Sequence, residues 1–226
     1  MSLRPFFLDR LPFRDRIDAG AHLAESLLEY RGEKPVVLGI PRGGVVVAAE
    51  VARRLNGELD VTVARKLGSP FSPELAIGAV TADGGRFLNE NLIHELRVDD
   101  AYLEQVTTVE LNEARRREQR FRGAGTRADV KDRIVLLIDD GLATGATMRA
   151  ALRSLRSRGA KRLIVAVPVG SREACLELEK EADEVVCLAQ PVPFGAVGRH
   201  YEHFEPVEDA TVFELLRAPP TTHSDG

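Results

Sequence analysis

Two adjacent carboxylates at the end of an apolar run, followed at once by small and hydroxylated residues, carry the strongest chemical signal in this chain: Val135-Leu136-Leu137-Ile138-Asp139-Asp140-Gly141-Leu142-Ala143-Thr144-Gly145-Ala146-Thr147. Paired acids accept hydrogen bonds from neighbouring hydroxyls, and a loop of low bulk lets peptide N–H groups close on an anion. Gly141, Ala143, Gly145 and Ala146 supply the low bulk, Thr144 and Thr147 add hydroxyl donors, and a helix opening near Thr147 turns its positive end on the same point. Together these residues describe a site for a polyol phosphate. Capping of a helix explains one Asp at such a turn, but not two acids followed by five small or hydroxylated residues. A nucleoside-triphosphate loop does not fit either, because the chain has no Gly-Lys-Ser/Thr and Asp139-Asp140 would repel a triphosphate laid against them.

A second candidate is Gly39-Ile40-Pro41-Arg42-Gly43-Gly44. Gly43 and Gly44 permit backbone geometry closed to other residues, and the planar fork of Arg42 suits phosphate oxygens. Alone, this segment reads equally well as a plain turn. A third is Ala64-Arg65-Lys66, which precedes a Gly/Ser/Pro-rich segment from Leu67 to Glu74. Arg65 and Lys66 are either anion ligands beside a mobile loop or a pair of exposed charges at a strand end.

The elements that must position these groups alternate along the chain. Hydrophobic spacing predicts a helix over Ile17–Tyr30, a buried strand over Val36–Ile40, a helix over Val45–Leu55 and a strand over Leu59–Ala64. Asp83-Gly84-Gly85 signals a hairpin between Ala76–Thr81 and Arg86–Leu88. Asp100–Arg122 reads as a long, exposed helix with Glu113 and Arg117 four apart. The remainder reads as strand Ile134–Ile138, helix Ala146–Arg158, strand Leu163–Val169, helix Glu173–Glu181 and strand Val185–Ala189. Such alternation implies an α/β fold, a mainly parallel sheet flanked by helices on both faces. The first two candidate loops then lie at carboxyl ends of strands, where open α/β sheets bind ligands.

The Asp139–Thr147 segment resembles the phosphoribosyl-pyrophosphate (PRPP) motif of the type I phosphoribosyltransferases, and the whole of residues 14–216, including Arg14-Asp15-Arg16, is similar to a bacterial group of uncharacterised predicted phosphoribosyltransferases. The resemblance implies that Asp139 and Asp140 hold the ribose hydroxyls and that Ala143, Thr144, Gly145, Ala146 and Thr147 hold the 5′-phosphate. It implies a pyrophosphate loop at Pro41, Arg42, Gly43 and Gly44, with a strained peptide expected before Gly43, a non-proline cis bond being one form of it, and with Arg65 and Lys66 contributing. Asp139, Asp140, Lys66 and Arg42 are the expected catalytic groups. Mg²⁺ is the implied cofactor, bound mainly through PRPP and also by Asp139 and Asp140. The loop over Leu67–Glu74 is expected to be a lid.

A single domain is expected, with a core over about 34–189, a small hood from residues 1–33 and 190–217 that would contact the acceptor, and a disordered tail over 218–226. Phe194 and Tyr201 are candidates to face a ring, although local packing explains them as well. Nothing in the hood marks a particular base. His200 and His203, with Glu202 and Glu205, lack a third clear ligand and closed tetrahedral spacing, so a solvated turn is the expectation there. Two functions are consistent with these residues: transfer of ribose 5-phosphate from PRPP to a nitrogen nucleophile such as a nucleobase, or PRPP sensing by a regulator that keeps the site and little or no transfer.

Composition sets outer limits. A chain of 226 residues with 44% apolar residues can bury one α/β core without staples. A formal charge of −4 argues against a general nucleic-acid binder, and no apolar run is long enough to span a membrane. Cys175 and Cys187 are expected to be reduced core residues in a cytoplasmic protein, and a homodimer is the expected assembly.

Overall fold

The computed structural model describes residues 11–123 and 125–218. Five parallel strands form the main sheet: β1 (Val36–Gly39), β2 (Glu58–Val61), β6 (Ile134–Ile138), β7 (Arg162–Val169) and β8 (Glu184–Ala189), in the order β2-β1-β6-β7-β8. Helix α1 (Arg16–Ser26) precedes them, and α2 (Gly43–Leu55), α5 (Ala146–Ser157) and α6 (Arg172–Leu178) come between them in the chain. Alternate residues of β6 serve opposite faces, which is why the strand is apolar throughout. Leu136 and Ile138 join Leu23 of α1 and Val47 and Val51 of α2, while Val135 and Leu137 join Met148, Leu152 and Leu155 of α5. The sheet is therefore covered by helices on both faces, as its alternating pattern predicts.

A second, antiparallel sheet of β3 (Ala64–Gly68), β4 (Ala76–Thr81) and β5 (Arg86–Leu88) stands beside the first, followed by α3 (Glu90–Glu95) and α4 (Asp100–Arg122). The hairpin at Asp83-Gly84-Gly85 is its β4–β5 turn. The strand expected over Leu59–Ala64 is divided: β2 ends at Val61 in the main sheet, and Ala64 opens β3 in the other. The loop expected from Leu67 begins later, because Leu67 is fully buried with Ile77 and Val80 and β3 runs to Gly68. Arg65 and Lys66 thus lie within a strand, opposite Val80 and Ala79.

Helix α4 has the predicted bounds but is not exposed on all sides. Ala114 and Phe121, seven residues apart, pack with Val45, Val61 and Val212, and Glu118 between them is buried against Arg122 and Arg127. Short helices α3 and α7 (Asp209–Arg217) carry no clear periodicity in the sequence. Helix α7 packs on α2 and α4 through Val212. Among the described residues no helix is long and apolar enough to cross a membrane. The tail read as disordered lies, from residue 219 onward, outside the described residues.

Candidate functional site

After β1 the chain places β2 on one side and later returns on the other side as β6, so the connections leaving β1 and β6 part at their carboxyl ends. A crevice opens at such a switch point. Pairing of Gly39 with Ile138 sets Ile40 beside Asp139, and the Ile40 N–H donates to the Ile138 carbonyl at 2.9 Å. The two loops singled out in the sequence therefore meet at one edge of the sheet.

Each loop ends in a helix start with donors to spare. Helix α2 begins at Gly43 and α5 at Ala146, and neither has an acidic residue in its first turn. Among the described residues, none accepts a hydrogen bond from the peptide N–H groups of residues 42–44 or 143–147. Orphan N–H groups at two helix starts, both at the positive end of the helix dipole, favour anions. Gly145 takes φ 76°, a left-handed conformation that glycine adopts without steric cost, and so turns the loop into α5. The loop is pinned to the end of β7: Leu142 N–H donates to Val169 O at 2.9 Å, and the Ser171 hydroxyl donates to Ala143 O at 2.8 Å.

The two acids differ in surroundings. Asp139 accepts from the Asp140 peptide N–H at 2.8 Å, and burial, then the charge of Asp140, hold its carboxyl well above the usual carboxylate range. Asp140 is bonded through Oδ2 by Arg16 Nε at 2.7 Å, while its carbonyl accepts from the Tyr201 hydroxyl at 2.6 Å. Asp15 caps α1 by accepting from Asp18 N–H at 2.8 Å, which fixes Arg16 in the first turn of that helix. A Cβ on Gly43 would lie 1.8 Å from Asp140 Oδ2 and 2.6 Å from Arg16 Nε, so the close approach of loop, acid and arginine requires glycine there.

Beside Asp139 is a cavity of about 550 Å³ walled by Pro41, Arg42, Arg65, Lys66 and Thr147, and on its far side by Tyr102, Glu110 and Arg117 of α4. Lys66 is exposed and has no partner among the described residues. Arg65 is turned to α4, with Nε donating to Glu110 at 2.7 Å, and Arg42 lies 3.6 Å from Asp209 at the start of α7. Of the residues read from the sequence, the structure brings Pro41, Arg42, Arg65, Lys66, Asp139 and Thr147 to this cavity, leaves Ala143 and Thr144 exposed near the start of α5, and turns Asp140 toward Arg16.

The peptide before Gly43, expected to be strained, is not the cis one: the non-proline cis bond of this loop is one peptide earlier, at Pro41–Arg42. Tyr201 is buried against Phe13 and Phe204 with its hydroxyl bound to Asp140, which leaves no ring face for a ligand. Phe194 stacks near His200, whose Nε2 lies 2.8 Å from the Phe194 carbonyl. Local packing therefore accounts for both aromatic residues. Three features are missed by the sequence reading: Arg16 as partner of Asp140, the α4 wall, and Asp209. Only Arg16 leaves a local trace, the capped helix start after Arg14-Asp15.

Two Mycobacterium tuberculosis proteins, from strains CDC 1551 and H37Rv, whose names assign them by inference as phosphoribosyl transferases, are each 46% identical over 204 residues, covering 90% of this chain and 46% of theirs. The chain thus spans about half the length of these relatives. A crystal structure of TT1426 from Thermus thermophilus is 48% identical and covers 91% of this chain and 98% of its own, with a TM-score of 0.79. The profile of the phosphoribosyl transferase domain matches residues 13–202, a span that runs from the segment before Arg16 through both anion loops to the segment of Tyr201. By that match and by the likeness of these relatives, the chain belongs to the phosphoribosyl transferase domain family.

Proposed function

We propose that this protein transfers ribose 5-phosphate from PRPP to a nitrogen nucleophile, a nucleobase in the first instance, and releases pyrophosphate. The observation that carries the reading is the pair of helix starts whose N–H groups have no acceptor among the described residues, at the carboxyl ends of β1 and β6 beside the half-buried Asp139 at the sheet's switch point. Residues 143–147 would take the 5′-phosphate, Asp139 and Asp140 the ribose hydroxyls, and Pro41 to Gly44 the pyrophosphate, with Arg42, Arg65 and Lys66 around it. The acceptor's lone pair forms the bond to ribose C1 as the bond from C1 to pyrophosphate oxygen breaks, and the acceptor's proton passes to solvent. Donors fixed before reaction stabilise the charge that gathers on a leaving group, and in this reading Arg42, Lys66 and the N–H groups of residues 42–44 would do that work.

Mg²⁺ fits the donor set. Asp139 and Asp140 offer hard carboxylate oxygen, and Asp139 lines the cavity in which substrate oxygens would complete the ion's shell. When bound, it would neutralise part of the pyrophosphate charge. Lys66, exposed on the cavity wall and without a partner among the described residues, favours transfer over a purely sensing role. A single domain whose terminal segments act as a hood, assembled as a homodimer, belongs to the same reading.

The test is incubation of the purified protein with PRPP, Mg²⁺ and a panel of purine, pyrimidine and pyridine bases while pyrophosphate release is followed. Release that depends on one class of base supports transfer and names the acceptor. PRPP binding without release from any base would favour the sensor, and the absence of PRPP binding would end both.

A further inference from the structure

We infer that Arg16 is a positioning residue for the acid pair, and that through it the two terminal segments of the domain set where Asp140 presents its carboxylate. This rests on the PRPP reading above. Two carboxylates consecutive in the chain repel one another, more strongly where one is buried, and each adds to the repulsion met by an incoming sugar phosphate. Arg16 is the cation bonded to either of them among the described residues: its Nε donates to Asp140 Oδ2 at 2.7 Å, and both side chains are largely buried, at 11% and 16% exposure.

The guanidinium is itself held on three sides. Its Nη1 donates to the Glu205 carbonyl at 2.9 Å, its Cζ lies over the Phe204 ring 3.9 Å from the ring centre, and the backbone of Gly43 closes on it from the second anion loop. A charge fixed on an aromatic face and a carbonyl has little freedom to follow a wandering carboxylate. The segment after β8 holds the same aspartate a second time, through the Tyr201 hydroxyl on its carbonyl, and Tyr201 in turn pairs with Phe13 just before α1. Residues 13–16 and 201–205, from the two segments that the sequence suggests as a cover for the acceptor, are thus joined to one another and to Asp140. Their contacts position Asp140, halve the net charge of the pair, and leave Asp139 as the acid that faces the cavity.

Such a role predicts a split between ligands. Inorganic phosphate needs only the 143–147 loop, whereas ribose 5-phosphate needs the loop and the hydroxyl acceptors. In Arg16→Gln, ribose 5-phosphate affinity should fall about tenfold or more, the worth of a hydrogen bond to a charged group, while phosphate affinity stays within about twofold. Arg16→Lys, which returns the charge, should recover part of the loss. Phe204→Leu keeps the guanidinium and removes its platform, so it provides a milder form of the same defect should Arg16→Gln not fold. Calorimetric titration of each folded variant reads all of these. Equal losses for both ligands, or wild-type affinity for ribose 5-phosphate in Arg16→Gln, would overturn the positioning role alone. A wild-type protein that binds neither PRPP nor ribose 5-phosphate would instead remove the reading on which it rests, and the positioning role with it.

Discussion

Replacing Gly43 by alanine puts a methyl group where the structure has no room for one. Its Cβ would stand 1.8 Å from Asp140 Oδ2 and 2.6 Å from Arg16 Nε. Carbon–oxygen contacts settle near about 3.3 Å, so the carboxylate or the loop must retreat by roughly 1.5 Å. A retreat of that size carries Asp140 out of hydrogen-bond range of Arg16 or of a ribose hydroxyl. Overpacking of this kind costs about 1–3 kcal/mol. For a chain of this length that corresponds to a fall in Tm of roughly 2–12 °C. PRPP affinity should fall about tenfold or more with the lost hydroxyl acceptor. Gly32→Ala serves as the control, because an added Cβ there meets nothing within 4 Å. Thermal melts and calorimetric titration with PRPP-Mg²⁺ measure both effects. A Gly43→Ala protein that melts and binds like the wild type would refute the close-approach argument.

Three further outcomes are expected. Lys66→Ala should leave Tm unchanged, since Lys66 is exposed and unpartnered among the described residues, yet lower kcat by about a hundredfold with a smaller change in the KM for PRPP; steady-state kinetics showing the reverse split would discard its catalytic role. Asp60 accepts from Arg122 Nη1 and from Ala128 N–H, each at 2.8 Å, with both side chains of the ion pair buried. Asp60→Ala should therefore destabilise by about 1–3 kcal/mol in urea unfolding, because the Ala128 N–H and Arg122 Nη1 lose their acceptor while Arg122 keeps Glu118 and the Val61 carbonyl, whereas a loss under about 0.5 kcal/mol would show the contacts to be dispensable. Asp139 has a folded-state pKa raised above its ordinary 3.8, by burial first and the charge of Asp140 second, so its protonated form stabilises the fold below pH 3.8 and that contribution is lost as pH rises through the raised value. Asp139→Asn should consequently melt above the wild type at pH 7 to 8, with the gap closing toward pH 4; a variant that melts lower at neutral pH contradicts the assigned cause.

The parts legible in the sequence are those built from local patterns. The run from Val135 to Thr147 carries strand, acids, loop and helix start within thirteen residues, and each step has its own residue signature. The second sheet is harder to read. Arg65 and Lys66 look like the start of a loop, because the glycine and prolines that follow are punctuators, yet pairing with β4 draws them and Leu67 into a strand. Partition of Glu58–Gly68 between two sheets is likewise a tertiary choice: Val61 pairs beside β1, and Ala64 pairs with Thr81. The partner of Asp140 stands 124 residues away on α1, and no spacing rule reaches that far. Tyr201 shows the same limit from the other side, since an aromatic residue in a loop suggests a ligand face until its hydroxyl is found on the Asp140 carbonyl.

The central claim is that the acid pair and the loop after it hold PRPP. Calorimetric titration of PRPP-Mg²⁺ into the wild type and into the Asp139→Ala, Asp140→Ala double variant, with circular dichroism to establish that the variant is folded, tests it most directly. The account predicts saturable one-site binding to the wild type and none measurable to the folded double variant. Unchanged PRPP affinity in that variant would contradict it.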